Sequence, residues 1–474
     1  MRARLFIPFL LGLVAAKLAL DHICDVDLMW HLRIGLDILE RGAIPPTVEY
    51  TWTVKDTPYL ANDWLAQILF ALAFKAGGLV GVGLFKALLV VGIVTTLYLV
   101  SLERAEGNRP SAGLAVGVML FVAAANFIAR PLLFGQLCLA LELLLIERAL
   151  KGKRWVPLAM PVLFAFWINT HGSWAVGLGP LAVAGGTVLL PFHRWRLTSR
   201  PVEKAARLPV LLSLLAPLGV VLNPIAWKAL IRPFDLIAKQ GEFTIIDEWA
   251  PVPWSDPSAW ILIGAALLFV VAAARSRKPL PLYELGLVGL TFVMALQASR
   301  QLSIFAIIAA PPLAEQLASR MRTEMFRRPR TNAIVAALAA VALGLMGGLR
   351  LASVDREARG LFPVDGLAQL EQSGFARRPG FHFFEWGGYL VFHKLDSFID
   401  GRLGPFYEAG LFDEYLRIER QGDAEAIEQR GVCWALLVPG TPLAEALGSR
   451  AGWKRHFEDD LSVLWLRSGC AAQK

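Results

Sequence analysis

The chain has 474 residues, of which 56% are hydrophobic and 18% charged, too apolar for an ordinary soluble enzyme and long enough for many membrane spans plus one soluble domain. Its formal net charge of +8 is dispersed among loops between apolar runs instead of gathered in a block, which argues against a nucleic-acid partner and makes the Lys and Arg residues markers of orientation. The four cysteines, Cys24, Cys138, Cys433 and Cys470, have no CxxC or Cys/His spacing, so a zinc or redox centre has no support, while a Cys433–Cys470 bridge stays open.

The first apolar run, residues 5–23, follows Arg2 and Arg4 as a signal peptide would, but it lacks a small-x-small cleavage site and further spans follow, so it is read as a retained helix. Next come Asp25 and Asp27 at the expected membrane surface. An Asp at the centre of a membrane helix costs roughly 2.5–3.5 kcal/mol, so acids at a helix end are candidates for function; solvated acids with no special task are the plain alternative. From Leu28 onward, Leu32, Leu36 and Leu39 recur at helical spacing, with Arg33, Asp37, Glu40 and Arg41 on the other side. That pattern predicts an interfacial helix, closed by Gly42 and Pro45-Pro46. Asp27 and His31 are four apart and would share a flank of it, setting a carboxylate beside an imidazole; a paired structural histidine is the equal alternative. Tyr50, Trp52 and Trp64 are aromatics of an interface belt.

Runs long enough to cross a bilayer lie near 5–23, 79–101, 111–128, 131–149, 155–170, 173–192, 208–224, 259–275, 281–299, 302–318 and 331–351. Segment 62–77 is ambiguous. If it lies in the interface, the basic loops near 104–109, 148–154, 194–207, 275–278 and 320–330 join Arg2 and Arg4 inside; if it crosses, nearly all go outside. Eleven spans are therefore expected, with the N-terminus inside, the C-terminus outside and 62–77 a short helix along the outer surface.

This topology collects polar residues at the outer helix ends, where one external cavity could hold them. Arg130 and Arg300 could bind a phosphate bidentately, or snorkel to lipid headgroups. Asn169 and His171 sit in a tight Asn-Thr-His-Gly turn and could bind a sugar or orient a base; a turn satisfied by its own hydrogen bonds is the simpler reading. Asp247 and Glu248-Trp249 follow in the long outer loop, the last two offering an acid beside a stacking surface, with loop solvation as competitor.

After residue 351 charges return and apolar runs shorten. Helix-like stretches near 364–373 and 407–430 and strand-like ones near 396–400, 432–438, 453–458 and 461–467 predict a small external α/β domain over 352–474, following a membrane domain over 1–351 whose external first loop is 24–78. Two glycine turns could form a binding edge: Glu385-Trp386-Gly387-Gly388-Tyr389, and Asp400-Gly401-Arg402. A structural turn packed on its surroundings explains both strings as well.

The order of helix, acid, amphipathic segment ending in Gly and Pro, second interfacial helix and many spans resembles the GT-C superfamily of integral-membrane glycosyltransferases. Within it, "DLMWHLRIGLDILERGAIP" after Asp25-Val26 is similar to the acid-led first external loop of aminoarabinose transferases and protein O-mannosyltransferases, and "NDWLAQILFALAFKAGG" to their juxtamembrane helix. The resemblance implies a polytopic α-helical membrane protein of GT-C-like fold with a C-terminal soluble α/β domain. It also implies a polyprenyl-phosphate-type sugar donor and an acid as general base, with Asp27 the best match by position and Asp25 second. Leu28 and Trp30 stand where many relatives carry a second acid and an Arg, so substrate identity is not carried over. The Glu385 to Tyr389 string is similar to the tryptophan, acid, glycine and tyrosine motif with which oligosaccharyltransferase catalytic subunits recognise the acceptor.

The function expected is an inverting glycosyltransferase of a bacterial inner membrane, acting on the external face toward an envelope glycan, lipid or protein acceptor. Its rivals are a flippase or transporter of a lipid-linked saccharide and a non-catalytic scaffold. Asp25, Asp27 and Glu248 are oxygen ligands of the kind a divalent cation takes, but the sequence does not choose between metal-dependent and metal-independent chemistry.

Overall fold

The computed structural model describes residues 3–59, 62–224, 228, 231, 247–322 and 328–470; Arg2 and the side chains of Arg4 and Asp247 lie outside the described residues. The chain divides into two compact units, residues 1–22 with 83–351 and residues 23–82 with 352–474.

The first unit is a bundle of apolar helices. Seven helical stretches of the described chain are long and apolar enough to cross a membrane, from Trp64–Arg104 to Pro329–Ala352, and Leu5–Leu20, Val156–Thr170 and Leu282–Gln297 are shorter apolar helices. Helix occupies every segment in which a span was expected. Leu84, Leu88, Leu158, Val162, Leu267, Val270, Leu338 and Leu345 are exposed, which in water would be untenable and in lipid is required. The chain is a polytopic α-helical membrane protein.

At the centre of this unit, Leu302–Ala318 packs along Arg109–Ala123. Ala112 and Ala115 face a run in which Ala306, Ala309 and Ala310 are wholly buried, since small side chains let two helices approach closely where lipid supplies no hydrophobic drive. At one end of the bundle Arg104 uses all five of its N–H donors. It bonds Glu315 from Nε at 3.0 Å and again from Nη2, Glu147 from Nη1 at 3.2 Å, and Glu284 from Nη1 and Nη2 at 3.0 and 2.6 Å. Arg200 closes the network on Glu147 at 2.6 and 2.9 Å. Beside it lies a cavity of about 50 Å³ walled by Pro180, Val183, Leu287 and Pro312. Three short strands, β1 (His193–Arg194), β2 (Leu197–Thr198) and β3 (Leu280–Pro281), form a small sheet nearby in the chain.

The second unit joins the first loop to the C-terminal segment. Where the sequence sets a boundary at 351/352 and leaves 24–78 with the membrane helices, the contacts group residues 23–82 with 352–474. The reason is a run of hydrogen bonds. Ser397 donates to Tyr50 O from its amide at 3.0 Å and its hydroxyl at 3.1 Å, Thr53 Oγ1 donates to Phe398 O at 2.7 Å, and Trp52 Nε1 donates to Gly380 O at 3.1 Å. The helix Leu28–Arg41 ends at Gly42 in the left-handed region, whose amide returns to Ile38 O. The segment from Trp64 is helical until Gly77 and Gly78, whose non-helical torsions divide it from the following span at the position expected from the sequence.

The C-terminal portion holds a four-stranded sheet in the order β4 (Gly380–His382), β5 (Trp434–Leu437), β7 (Val463–Arg467), β6 (Trp453–Glu458). β4 runs parallel to β5, with Phe381 opposite Ala435, and the other pairings are antiparallel. The expected strand at 396–400 is instead a bent segment with a single bridge from Ser397 to Thr51, and side chains take the backbone groups of Phe398: His382 Nε2 accepts its amide and Thr53 Oγ1 donates to its carbonyl. The expected 407–430 helix is three short ones, divided by Gly410 and Gly422 at φ 70° and 66°. Cys433 and Cys470 are bridged.

Candidate functional site

In the second unit, the turn before the Leu28–Arg41 helix separates the two acids. Asp25 Oδ1 accepts the Asp27 amide at 3.0 Å, an Asx-type turn that shapes the backbone. Asp27 makes no side-chain cap to its own helix. Its Oδ1 accepts from the indole Nε1 of Trp30 at 3.0 Å. Trp30 is fixed in turn, buried in a cluster with Ile34, Ile38 and Val391. His31, one turn on from Asp27, is buried; its ring lies against Trp30 with centres 3.5 Å apart, tilted by 30°, and its Nδ1 shares a hydrogen bond with Gln67 Nε2 at 3.3 Å. On the far side of this helix Glu40 and Arg41 are exposed, but the other two polar residues are not. Arg33 and Asp37 are buried, joined at 3.0 and 2.7 Å, with Tyr50 donating its hydroxyl to Asp37 at 2.9 Å.

Both glycine strings of the C-terminal portion come to this turn. A Cβ on Gly388 would lie 2.6 Å from Val26 O and 3.2 Å from Trp30 Cδ1, and one on Gly401 would overlap Asp27 Oδ1. Of those strings Glu385 is exposed, while Trp386, Tyr389, Asp400 and Arg402 are buried. Trp386 is buried and donates to Leu361 O at 3.2 Å; Tyr389 stacks on Phe362 with ring centres 4.8 Å apart. Asp400 and Arg402 form a buried pair, with Arg402 Nη1 also donating to Glu49 O at 2.6 Å. Burial opposes the charge on Asp400, yet Arg402 outweighs it and holds the carboxyl below its ordinary range.

The remaining expected residues belong to the first unit. Arg130 forms an ion pair with Glu248. The Arg300 guanidinium lies over the Trp249 ring, 4.1 Å from its centre, a cation–π contact. The two turns are stitched together, Ser299 N donating to Ala250 O at 3.0 Å and Ser299 Oγ to Glu248 O at 3.3 Å. Asn126 and Gln136 support them: Asn126 Nδ2 donates to Ser299 O at 3.3 Å, and Gln136 Nε2 to Ser303 Oγ at 3.0 Å. Asn169 donates to Ala165 O at 2.7 Å and accepts from Asn223 at 3.2 Å, while His171 Nδ1 accepts the Ser173 amide at 3.1 Å, so both serve the turn that carries them.

Among the described residues no three His, Cys, Asp or Glu converge as a metal-ligand set, and Glu248, one of the three expected oxygen ligands, is engaged with Arg130. Asn126 and Gln136 carry no motif in the sequence, and Trp30 and Gln67 lie inside the quoted strings without being read as site residues. Lys86 also went unmarked there. It is wholly buried within an apolar helix and donates from Nζ to His22 O, and only its position inside a span could have flagged it.

No protein-family model matches the chain, and no curated protein does. Solved structures do. The chain is similar to ArnT from Cupriavidus metallidurans bound to undecaprenyl phosphate, at a TM-score of 0.53 and 14% identity, over 99% of this chain and 98% of that one. It is similar to the Archaeoglobus fulgidus oligosaccharyltransferase in the apo form, at a TM-score of 0.55 and 12% identity, over 90% of this chain and 69% of that one. The archaeal oligosaccharyltransferase AglB from the same organism, in complex with an inhibitory peptide and a dolichol-phosphate, gives a TM-score of 0.52 at 11% identity over 90% and 69% of the two chains. The chain shares its fold with these solved structures.

Proposed function

We propose that this protein is an inverting glycosyltransferase that moves a sugar from a polyprenyl-phosphate-type donor to an envelope acceptor, with Asp27 as general base. The observation that carries the proposal is the setting of Asp27. Its carboxylate is turned away from capping its own helix and is oriented by a buried indole, as a base needs if it is to be held ready for an acceptor proton. Asp25, engaged with the backbone, is the lesser candidate. In the reaction Asp27 would take the acceptor's proton as the acceptor heteroatom bonds the anomeric carbon. The bond from that carbon to the phosphate oxygen breaks, and its electron pair leaves with the phosphate.

A departing phosphate gains charge and needs cationic donors. Arg130, beside Glu248, and Arg300, over the Trp249 ring, are the candidates for that role, since a guanidinium can meet phosphate oxygens bidentately. The choice of donor draws support from the similar structures, whose ligands are undecaprenyl phosphate and dolichol-phosphate. The placement draws support from the basic loops, whose distribution favours a cytoplasmic N-terminus, and from the Cys433–Cys470 bridge, which suits an oxidising external compartment.

The test is transfer by purified protein in nanodiscs from a panel of polyprenyl-phosphate sugars to an extracted envelope acceptor pool, wild type against R300A and R130A. Turnover by wild type, weakened in both R300A and R130A, is the expected result. A protein that carries the lipid-linked sugar across a vesicle membrane without transferring it would instead be a transporter.

A further inference from the structure

Gly387, Gly388 and Gly401 all stand where a side chain would collide, but they differ in what it would strike. At Gly387 the obstacle is the carbonyl of Ile399, with Asp400 Cβ at 2.9 Å; at Gly388 it is Val26 O at 2.6 Å. Those are backbone or near-backbone atoms that cannot yield without moving the fold. At Gly401 the added Cβ would overlap Asp27 Oδ1 and lie 2.8 Å from both Asp27 Cγ and Trp30 Nε1. Here the obstacle is the end of a two-torsion side chain, together with the hydrogen bond it accepts from Trp30. A methyl group at this position therefore has an easy escape, which is to displace the Asp27 carboxylate. Gly401 has no positive φ, so alanine fits its backbone.

The turn that brings Gly401 up to Asp27 is held on both sides. Asp400 accepts from Arg402 Nε and Nη2 at 2.8 and 2.6 Å and from Ser397 Oγ at 2.8 Å, and Arg402 is tied to Glu49 O. Immediately after it, Leu403 adopts φ 41°, a strained value that persists only where surrounding bonds over-determine it. So much buried bonding spent on one exacting turn is explained if the turn must stand at a fixed distance from something.

We infer that Gly401 is a positioning residue for the Asp27 carboxylate: the bare backbone at 401 and the Trp30 indole together select one carboxylate orientation, and the Asp400–Arg402 pair keeps that backbone in place. The C-terminal portion of this unit is then a working part of the transfer site as well as an appendage to it. This rests on Asp27 being the general base. Misplacing a reacting group by about 1 Å can cost about 100-fold in rate.

The experiment uses the full chain in nanodiscs, with G401A, W30F, D27N and the double variant G401A/D27N. Two readouts are taken: steady-state transfer from a polyprenyl-phosphate sugar, and the Trp30 indole ¹H–¹⁵N resonance, assigned with W30F. The expected result is a kcat for G401A lower by about 10- to 100-fold with donor KM little changed, and a shifted Trp30 resonance. Transfer by G401A/D27N should be no slower than by D27N alone, since the two changes act through one carboxylate. W30F, which removes the same hydrogen bond without adding bulk, should reproduce the kcat loss even if G401A folds poorly. Wild-type kcat in G401A or W30F, or full additivity in the double variant, would overturn the inference while leaving the base assignment standing. Undiminished turnover by D27N would remove the base assignment, and the Trp30 resonance would still decide whether residue 401 sets the carboxylate.

Discussion

Arg402 meets both oxygens of Asp400, its Nε 2.8 Å from Oδ1 and its Nη2 2.6 Å from Oδ2, and both side chains are buried. Removing one partner of such a pair leaves the other charge buried and unmatched, at a cost of about 3–5 kcal/mol. D400N should therefore destabilise the second unit by about that much, and D400N/R402L by less than the sum of the single changes. Hydrogen exchange at the 397–403 amides of the full chain measures both. Because the folded Asp400 is held below its unfolded pKa, the stability it contributes is present at neutral pH and fades only as the pH falls below about 4.

His382 gives a pH dependence at milder acidity. Its Nδ1 bonds Phe383 O at 2.9 Å and its Nε2 accepts the Phe398 amide at 3.0 Å, so the neutral ring is satisfied on both sides. Burial pushes its pKa down from 6.5 to about 4. Above pH 6.5 neither state binds the proton and the full stability is present. Below that the unfolded chain is protonated first, so stability drains away until the folded ring also titrates near pH 4, a total of about 3 kcal/mol. Replacing His382 with Gln should flatten unfolding midpoints recorded between pH 7 and pH 4; an unchanged slope would locate the dependence elsewhere.

In the membrane unit, Arg104 joins Glu147, Glu284 and Glu315, which stand on three other helices. R104L should cost about 3–5 kcal/mol, because three carboxylates lose the cation they converge on. Thermal unfolding in mild detergent is the assay, with E315Q expected to be milder, since Glu315 is the most exposed of the three at 21%.

The Cys433–Cys470 bridge closes a separation of 37 residues. Opening it with C433S should lower stability by about 2–4 kcal/mol. Mass spectrometry of non-reduced peptides should find the two cysteines linked and Cys24 and Cys138, both buried, as free thiols.

Much of this architecture was legible in the sequence because it rests on local signals. Apolar run length located the helices, Gly77-Gly78 marked the break before the second span, and Gly42 ended the first external helix. What was not legible depends on contacts between distant residues. Arg33 and Asp37 look like a solvated face until they are seen paired and buried, and Asp400-Gly401-Arg402 reads as an ordinary turn until it is found against Asp27. Glycine is the hardest residue to interpret from one sequence, since its meaning at 388 and 401 lies in what would occupy the space it leaves. Trp30, noted only as a departure from relatives, proves to be the donor that orients the acid.

The most direct test of the account is the rate of sugar transfer by D27N, measured beside its binding of the polyprenyl-phosphate donor and its folding. Asparagine preserves the size of the side chain and an acceptor for the Trp30 indole but cannot take up a proton. The account predicts a fall in kcat of at least about 100-fold, in keeping with the usual contribution of a general base, with donor affinity and melting temperature close to wild type. Transfer at the wild-type rate by a folded, donor-binding D27N protein would contradict it.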